Sequence, residues 1–388
     1  MPGQTATPQT ATPQTAAAPT AAAPTATART AAAPRPERPA GADAFARRAV
    51  EIFNDGCLAL MLSIGAQTGL LDAMGALPPA TSERIADAAA LDERYVREWL
   101  GAMTTAGIVR HDAGTDEFLL PAEHAASLTA AAGPGNLAVF TPLVAMLGEV
   151  EQRIVECFRH GGGLGYADYP RFHTYMAASS AAIFDATLID VVLPMAPGVP
   201  QRLQEGIDVL DLGCGTGHAV TLLASAYPAS RFVGYDFSPR AIDAARDEAA
   251  ALRLPNARFE LVDVATLDEP AGYDLITAFD AIHDQAHPAT VLSAAHRALR
   301  PDGTFLMVDV NASSRLDDNV GMPWAGFIYA VSTMHCMSVS LGADGAGLGT
   351  AWGRQAAESM LRDAGFTDIQ LAEPPADPLN LANIARKR

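Results

Sequence analysis

The stretch "AFDAIHDQAHP", residues 278–288, sets two histidines four residues apart among two aspartates. An imidazole with a pKa near 6.5 exchanges protons at neutral pH. His283 can therefore serve as a general base, as a metal ligand with His287, or as the polar cap of a following helix. The metal reading needs both rings on one helical face. Pro288 opposes that, because a residue before proline is driven towards extended backbone and proline itself suits the first turn of a helix. His335 and Cys336 could extend a ligand set, but we assign no metal. His287 is read as a helix start. His283 is the candidate general base, with Asp284, or Asp280, to orient it.

Such a base needs a scaffold that delivers it to a reactive group. Residues 207–212, "IDVLDL", form a continuous apolar run suited to a parallel strand covered on both faces. Gly213, Cys214, Gly215, Thr216 and Gly217 then turn into a helical stretch. Strand, glycine turn and helix together make a nucleotide-type cofactor site, since a Cβ would hold a ligand away from the backbone and block positive φ. A second apolar strand, "RFVGY", ends in Asp236, where a carboxylate can accept two ribose hydroxyls, and a third, "RFELV", ends near Asp263. The third glycine of a dinucleotide fingerprint is replaced by His218, and a phosphate loop needs a lysine that is absent here, the single lysine being Lys387. Pyrophosphate binding is thus poorly supported.

The run "VLDLGCGTG" with Asp236 resembles the first motif of class I S-adenosylmethionine-dependent methyltransferases. The resemblance implies S-adenosylmethionine as cofactor and contacts from Asp211, Gly213, Gly215, Gly217, Asp236, Phe237, Asp263, Val264 and Phe279. Within that set the glycines line the methionyl part, Asp236 holds the ribose, Asp263 meets the adenine amine, and Phe237 and Val264 wall the adenine. The segments "DYPRFH", "DAIHDQ" and "HCMSVSL" narrow the resemblance to bacterial winged-helix methyltransferases, some labelled transcriptional regulators. The fold implied is α/β: a Rossmann-like, seven-stranded, doubly wound sheet with an N-terminal helical winged-helix domain. "YDLITAF" is strand four, a helix runs from 288 to 299, and "RPDG" turns into "GTFLMVDV" as strand five. A helix follows over 353–364, and "DIQLA" and "NLANIAR" close the sheet as an antiparallel pair.

Residues 42–128 read as helical. Thr81 or Ser82 can cap a helix to Ala89 and Asp92 another to Thr105; Gly107 then precedes short strands in "IVRH" and "EFLL". This winged-helix pattern raises DNA binding as a rival. Its recognition helix, however, balances Asp92, Glu93 and Glu98 against Arg94 and Arg97, which leaves no net positive charge for phosphates. We read this half as a dimerisation and lid module, with "CLALMLSIGAQTGLLDAM" packed on a partner copy. The forty residues 311–350 and the segment "GYADYPRFHTYMA" carry aromatics for an acceptor pocket: Tyr169, Phe172, His173, Trp324, Phe327 and His335.

Composition agrees. The 388 residues are 49% hydrophobic and carry a formal charge of −18, which speaks against a sequence-independent nucleic-acid surface. Four widely spaced cysteines suit reduced thiols in a cytoplasm, and no uninterrupted run reaches the ~18 apolar residues of a membrane span. Residues 1–40 form an Ala/Pro/Thr repeat tail that cannot bury a core, residues 41–195 the helical domain and 196–388 the cofactor domain. The expected activity is methyl transfer to a small molecule, such as a secondary metabolite, by a cytoplasmic homodimer that binds neither nucleic acid nor membrane. The alternatives are a cofactor-sensing regulator and a non-methylating S-adenosylmethionine-binding enzyme.

Overall fold

The computed structural model describes residues 41–388, apart from Ala376 and Pro378 and the side chains of Pro134 and His173; the N-terminal repeat tail lies outside the described residues. Helix α1 (Ala42–Gln67) stops at Thr68, and Gly69, at φ 72°, turns the chain into α2 (Leu70–Ala76). The apolar segment 57–74, read as one helix packed on a partner copy, is therefore two, and its Leu58, Met61, Leu62, Leu70, Leu71 and Met74 pack in this domain's own core. Helix α3 (Ser82–Ala89) is capped by Thr81, whose side chain accepts from the Arg84 amide, and α4 (Glu93–Thr105) by Asp92, which accepts from Arg94 and Tyr95. Strands β1 (Arg110–Asp112) and β2 (Glu117–Leu119) form the wing. Val96, Trp99, Leu100 and Met103 turn inward, and the Trp99 indole N–H donates to the Met61 carbonyl at 2.8 Å, fastening α4 to α1. On the outer face Arg94 pairs with Glu98 and Arg97 with Glu93.

The C-terminal part of α1 packs into its domain, but residues 42–57 are almost wholly exposed among the described residues. Phe45, Val50, Ile52 and Phe53 are 53–73% exposed. Among the described residues, α1 and the stretch Thr174–Met195 are long and apolar enough to cross a membrane by length and composition. Glu51 and Asp55 interrupt the first and Asp185 and Asp190 the second, so neither is an uninterrupted apolar run. Leu188, Val192 and Leu193 of the second stretch are core residues beneath the large sheet. After α5 (Ala122–Leu128), the long helices α6 (Thr141–His160) and α7 (Phe172–Thr187) lead across to the C-terminal half.

That half begins with α8 (Val199–Glu205) and alternates strand and helix: β3 (Asp208–Leu212), α9 (His218–Ala226), β4 (Arg231–Asp236), α10 (Pro239–Ala251), β5 (Ala257–Leu261), β6 (Tyr273–Phe279), α11 (Pro288–Ala298) and β7 (Leu299–Val310). The segment 311–350 contains α12 (Leu316–Asn319), α13 (Ala325–Val331), a π-helical turn at Ser332–Cys336 and α14 (Met337–Gly342); α15 (Gly353–Asp363), β8 (Asp368–Ala372) and β9 (Asn380–Arg386) finish the chain. The sheet order is β5-β4-β3-β6-β7-β9-β8, parallel except for β9, which runs antiparallel to both neighbours. "RPDG" does not form a separate turn. It is absorbed into β7 as a bulge, with Asp302 at φ 61° and the pairing with β6 slipping between Tyr273 and Leu275.

Strand alternation divides the core. Leu210, Leu212 and Ile276 pack with α11 and α15 on one face; Val209 and Leu275 pack with α8, α9 and α10 on the other. Each fully buried leucine contributes roughly 1.5–3 kcal/mol. The strand order reverses between β3 and β6, and a crevice opens there at the carboxyl ends of the strands.

Candidate functional site

The crevice floor is the turn after β3. Gly213, Gly215 and Gly217 have φ of 71°, 53° and 82°. A Cβ on Gly213 would lie 2.7 Å from the Ala281 Cβ and one on Gly217 2.6 Å from the Phe259 ring, so these two glycines permit close packing. Gly215 has no atom within 4 Å of that position: its missing side chain leaves open space facing the cleft. Four of the turn's amides are spoken for. Gly213 and Cys214 both donate to the Tyr235 carbonyl, Gly217 to the Cys214 carbonyl and Gly215 to Asp236 Oδ2 at 2.9 Å. The four do not form a phosphate cradle.

Asp236, at the end of β4, lines the cleft and is 8% exposed, its other oxygen accepting from the Ser238 amide at 2.8 Å. A carboxylate carries about four lone-pair sites, the acceptor chemistry that a ribose diol requires. Asp211 is enclosed beside it. Burial pushes its pKa up to about 7 against the hydrogen bond from the Thr277 hydroxyl, and Asp236 adds to the rise. Val262, Val264, Phe237 and Phe279 complete the cofactor side, with Phe237 half exposed at the rim and Phe279 edge-on to Phe184 at 5.1 Å. Asp263 is not a lining residue. It is exposed, and its carboxylate turns to the Ala265 amide at 2.9 Å, because it caps the short turn 264–266.

The sequence assigned His283 an orienting partner in Asp284 or Asp280. The structure supplies Asp309 instead: His283 Nδ1 lies 2.7 Å from Asp309 Oδ1, the two 4% and 2% exposed. Burial opposes a charged imidazole, but the Asp309 charge and hydrogen bond, aided by Cys336, outweigh it and hold the pKa well above the ordinary histidine value. Asp284 accepts the Tyr166 hydroxyl, and burial raises its pKa against the pull of His283 and Tyr166. His287 precedes α11 in a non-helical conformation, φ −123° and ψ 63°, and Pro288 is the helix's first residue, so the two histidines do not share a helix face.

Of the expected acceptor-pocket residues, Phe172 lines the cleft and stacks on His335, ring centroids 3.9 Å apart. His335 and Tyr169 are 1% exposed, packed against each other behind that wall, and the Tyr169 hydroxyl donates to the Met334 carbonyl. Trp324 and Phe327 cluster with Phe140 away from the cleft. His173 belongs to α7, and its side chain lies outside the described residues. Sequence reasoning missed the α7 residues Met176, Ser180 and Phe184, which line the cleft, because that helix shows no clear polar face. It also missed His218, which lines the cleft with its ring nitrogens 2.9 Å from Asp185 and 3.0 Å from Glu248. Burial opposes the His218 charge, yet the two carboxylates raise its pKa. Asp309 could have been found by position, as it sits near the carboxyl end of the strand beside β6.

Residues 56–130 match the model of an Rv2258c-like winged helix-turn-helix domain, and residues 203–365 match that of a methyltransferase domain. The chain joins a winged-helix domain to a methyltransferase domain. A trans-aconitate 2-methyltransferase of Methylobacterium nodulans is 38% identical over 95 residues, 24% of this chain and 35% of that protein. The chain thus spans about a third of that relative's length. Solved structures agree over nearly the whole fold. The apo S-adenosylmethionine-dependent methyltransferase SibL superposes with a TM-score of 0.58 at 23% identity, over 87% of this chain and 98% of its own. Human N-acetylserotonin methyltransferase with bound S-adenosylmethionine gives 0.65 at 15%, over 88% and 97%.

S-adenosylmethionine fits the residues present in this methyltransferase domain. It has hydroxyls for Asp236, no phosphate to demand the committed amides, room at Gly215, and a sulfonium charge for a cleft lined by Asp211, Asp236, Asp280 and Asp284.

Proposed function

We propose that the chain transfers a methyl group from S-adenosylmethionine to a small acceptor held between α7, Tyr166 and the loop after β6. The observation that carries this reading is the pairing of the open Gly215 cradle with the buried Asp236 carboxylate at the switch point of the sheet. S-adenosylmethionine, when bound, supplies an electrophilic methyl group; the chain's residues orient the acceptor and remove its proton. His283, the base proposed from sequence, belongs to a buried cluster with Asp280 and Asp309, and we assign proton removal to that cluster.

The lining also bears on the acceptor. Among the described residues of the cleft wall there is no lysine or arginine, and His218 is already paired with two carboxylates. A buried anion without a counter-charge is strongly disfavoured. A tricarboxylate, the substrate named for the trans-aconitate relative, is therefore a poor fit. A neutral or cationic molecule with a hydroxyl or amine on an apolar body suits Phe172, Phe184 and Phe279. N-acetylserotonin, named for the human protein, is of that kind. Offered side by side with S-adenosylmethionine, neutral phenols and aryl amines should be methylated and trans-aconitate should not; the reverse preference would reject this acceptor class.

We further propose a homodimer through the exposed apolar face of α1, in which the winged helix serves assembly rather than DNA. The outer face of α4 supports this, because its arginines are engaged with glutamates. We place the protein in the cytoplasm, in keeping with its free cysteines.

A further inference from the structure

We propose that Asp280, through Oδ1, is the group that takes the acceptor's proton, and that the His283–Asp309 pair positions and tunes it. The proposal rests on the methyl-transfer reading above.

Asp280 directly follows β6, at the switch point, and lines the cleft; His283 is 4% exposed and is not among the lining residues. The Asp280 backbone is fixed in the left-handed region at φ 50°, its amide donating to the Val308 carbonyl at 2.9 Å. Asparagine and aspartate tolerate that conformation better than most residues, and here it stations a carboxylate at the cleft wall. Oδ2 accepts from Asn380 Nδ2 at 3.3 Å. Oδ1 is enclosed and has no hydrogen-bond partner among the described residues. Leaving a buried acceptor unmatched costs about 1–3 kcal/mol. Its persistence in a cleft is accounted for if an incoming hydroxyl or amine supplies the missing donor.

His283 is poorly placed for the same task. Nδ1 is committed to Asp309, and the Cys336 thiol faces the ring as well. The ring does bear on Asp280. The groups facing that carboxylate are His283, Asp309 on β7, Asp377 before β9, and the neutral Asn380 amide. Burial, Asp309 and Asp377 disfavour the ionised form while His283 and Asn380 favour it, and the pKa stands at about 8. A base works best with a pKa near the operating pH.

In the step proposed, the acceptor's oxygen or nitrogen lone pair forms the bond to the methyl carbon, and the carbon–sulfur bond breaks with its electron pair kept on sulfur. The acceptor's proton passes to Asp280 Oδ1, which becomes a neutral carboxyl and returns the proton to solvent after product leaves. No oxidant or metal enters the balance.

The test uses the full chain with methyl-labelled S-adenosylmethionine and a panel of phenol, catechol, 1-naphthol and aniline beside a cell metabolite extract. The wild type should show kcat/KM rising with pH to a plateau above about 8, since only ionised Asp280 accepts. Asp280→Asn should lower turnover by about 10²- to 10⁴-fold, far more than it weakens S-adenosylmethionine binding by calorimetry, and flatten that rise. His283→Gln should cost less and displace the midpoint, as expected of a positioning residue. Full turnover in Asp280→Asn with loss confined to His283→Gln would overturn the proposal and make the histidine the direct base. Asp280, His283 and Asp309 present donor atoms within 4.8 Å of one another. Stoichiometric divalent metal in the wild type, absent from Asp280→Asn by mass spectrometry, would likewise overturn it in favour of a ligand role. If the wild type binds S-adenosylmethionine and labels nothing, the methyl-transfer reading falls, and the assignment of Asp280 falls with it.

Discussion

The Thr277 hydroxyl of β6 donates to the Asp211 carboxylate of β3 at 2.7 Å, joining the two strands where the sheet reverses its order. Both residues are buried, at 0% and 4% exposure. The hydrogen bond favours the ionised carboxylate, yet burial prevails and places the pKa at about 7. A carboxyl whose pKa is raised on folding contributes stability below its unfolded value, near 3.9. That contribution is lost as pH climbs through the folded value. Asp211→Asn keeps an oxygen for Thr277 and removes the charge. Its melting temperature should match the wild type near pH 4 and exceed it above pH 7, by about 2–4 °C for each kcal/mol recovered. A gap that stays constant with pH would show that Asp211 is not desolvated in solution.

Asp236 should dominate cofactor affinity. Two hydroxyls donating to an ionised carboxylate are worth ~1.5–3 kcal/mol each. Asp236→Ala should weaken S-adenosylmethionine binding at least about tenfold in calorimetry, the equivalent of ~1.4 kcal/mol. An unchanged dissociation constant would place the ribose elsewhere.

The cofactor's charge should be visible as protons. Asp211 and Asp280, with pKa values of about 7 and about 8, are partly protonated at neutral pH. A sulfonium nearby favours their ionised forms, so S-adenosylmethionine binding at pH 7 should expel protons, whereas S-adenosylhomocysteine, whose sulfur is neutral, should expel fewer. Titrations in buffers of different ionisation enthalpy measure this. Equal proton counts for the two ligands would move the sulfur away from these carboxylates.

Helix α1 makes a prediction about assembly. Phe45, Val50, Ile52 and Phe53 expose an apolar face too large to leave in water. Phe53→Asp should convert a dimer into a monomer in light scattering at micromolar concentration without disturbing the Trp99–Met61 contact. A wild type that is already monomeric would contradict the proposed interface, and retention on DNA at 150 mM salt would favour a regulator.

The cofactor half was legible because its signals are local. The apolar run to Leu212, three glycines at positive φ and Asp236 at the next strand's end all act within one βα unit and its neighbour. The winged helix was legible from Thr81 and Asp92 as caps and from Gly107 before two short strands. The reaction side was less so, because its contacts join distant segments. Asp309 meets His283 across 26 positions and Tyr166 meets Asp284 across 118, pairings that depend on the completed sheet. Aromatic composition marked Tyr169, Trp324 and Phe327 as pocket candidates, but composition does not distinguish a wall from the core behind it. Asp263, read as a cofactor contact, shows the same ambiguity: a carboxylate at a strand end serves equally as a turn cap, and here one of its oxygens does.

The central claim, that this cleft moves a methyl group from S-adenosylmethionine to an uncharged or cationic small molecule, is tested most directly by isotope transfer. The full-length chain is incubated with trideuteromethyl-labelled S-adenosylmethionine and a metabolite extract, and small molecules are read by mass spectrometry. The account predicts that a neutral or basic hydroxyl- or amine-bearing compound gains the trideuteromethyl group, and that the signal is lost with Asp236→Ala. Label appearing only in polycarboxylates, or in no small molecule at all from enzyme shown to bind the cofactor, would contradict it.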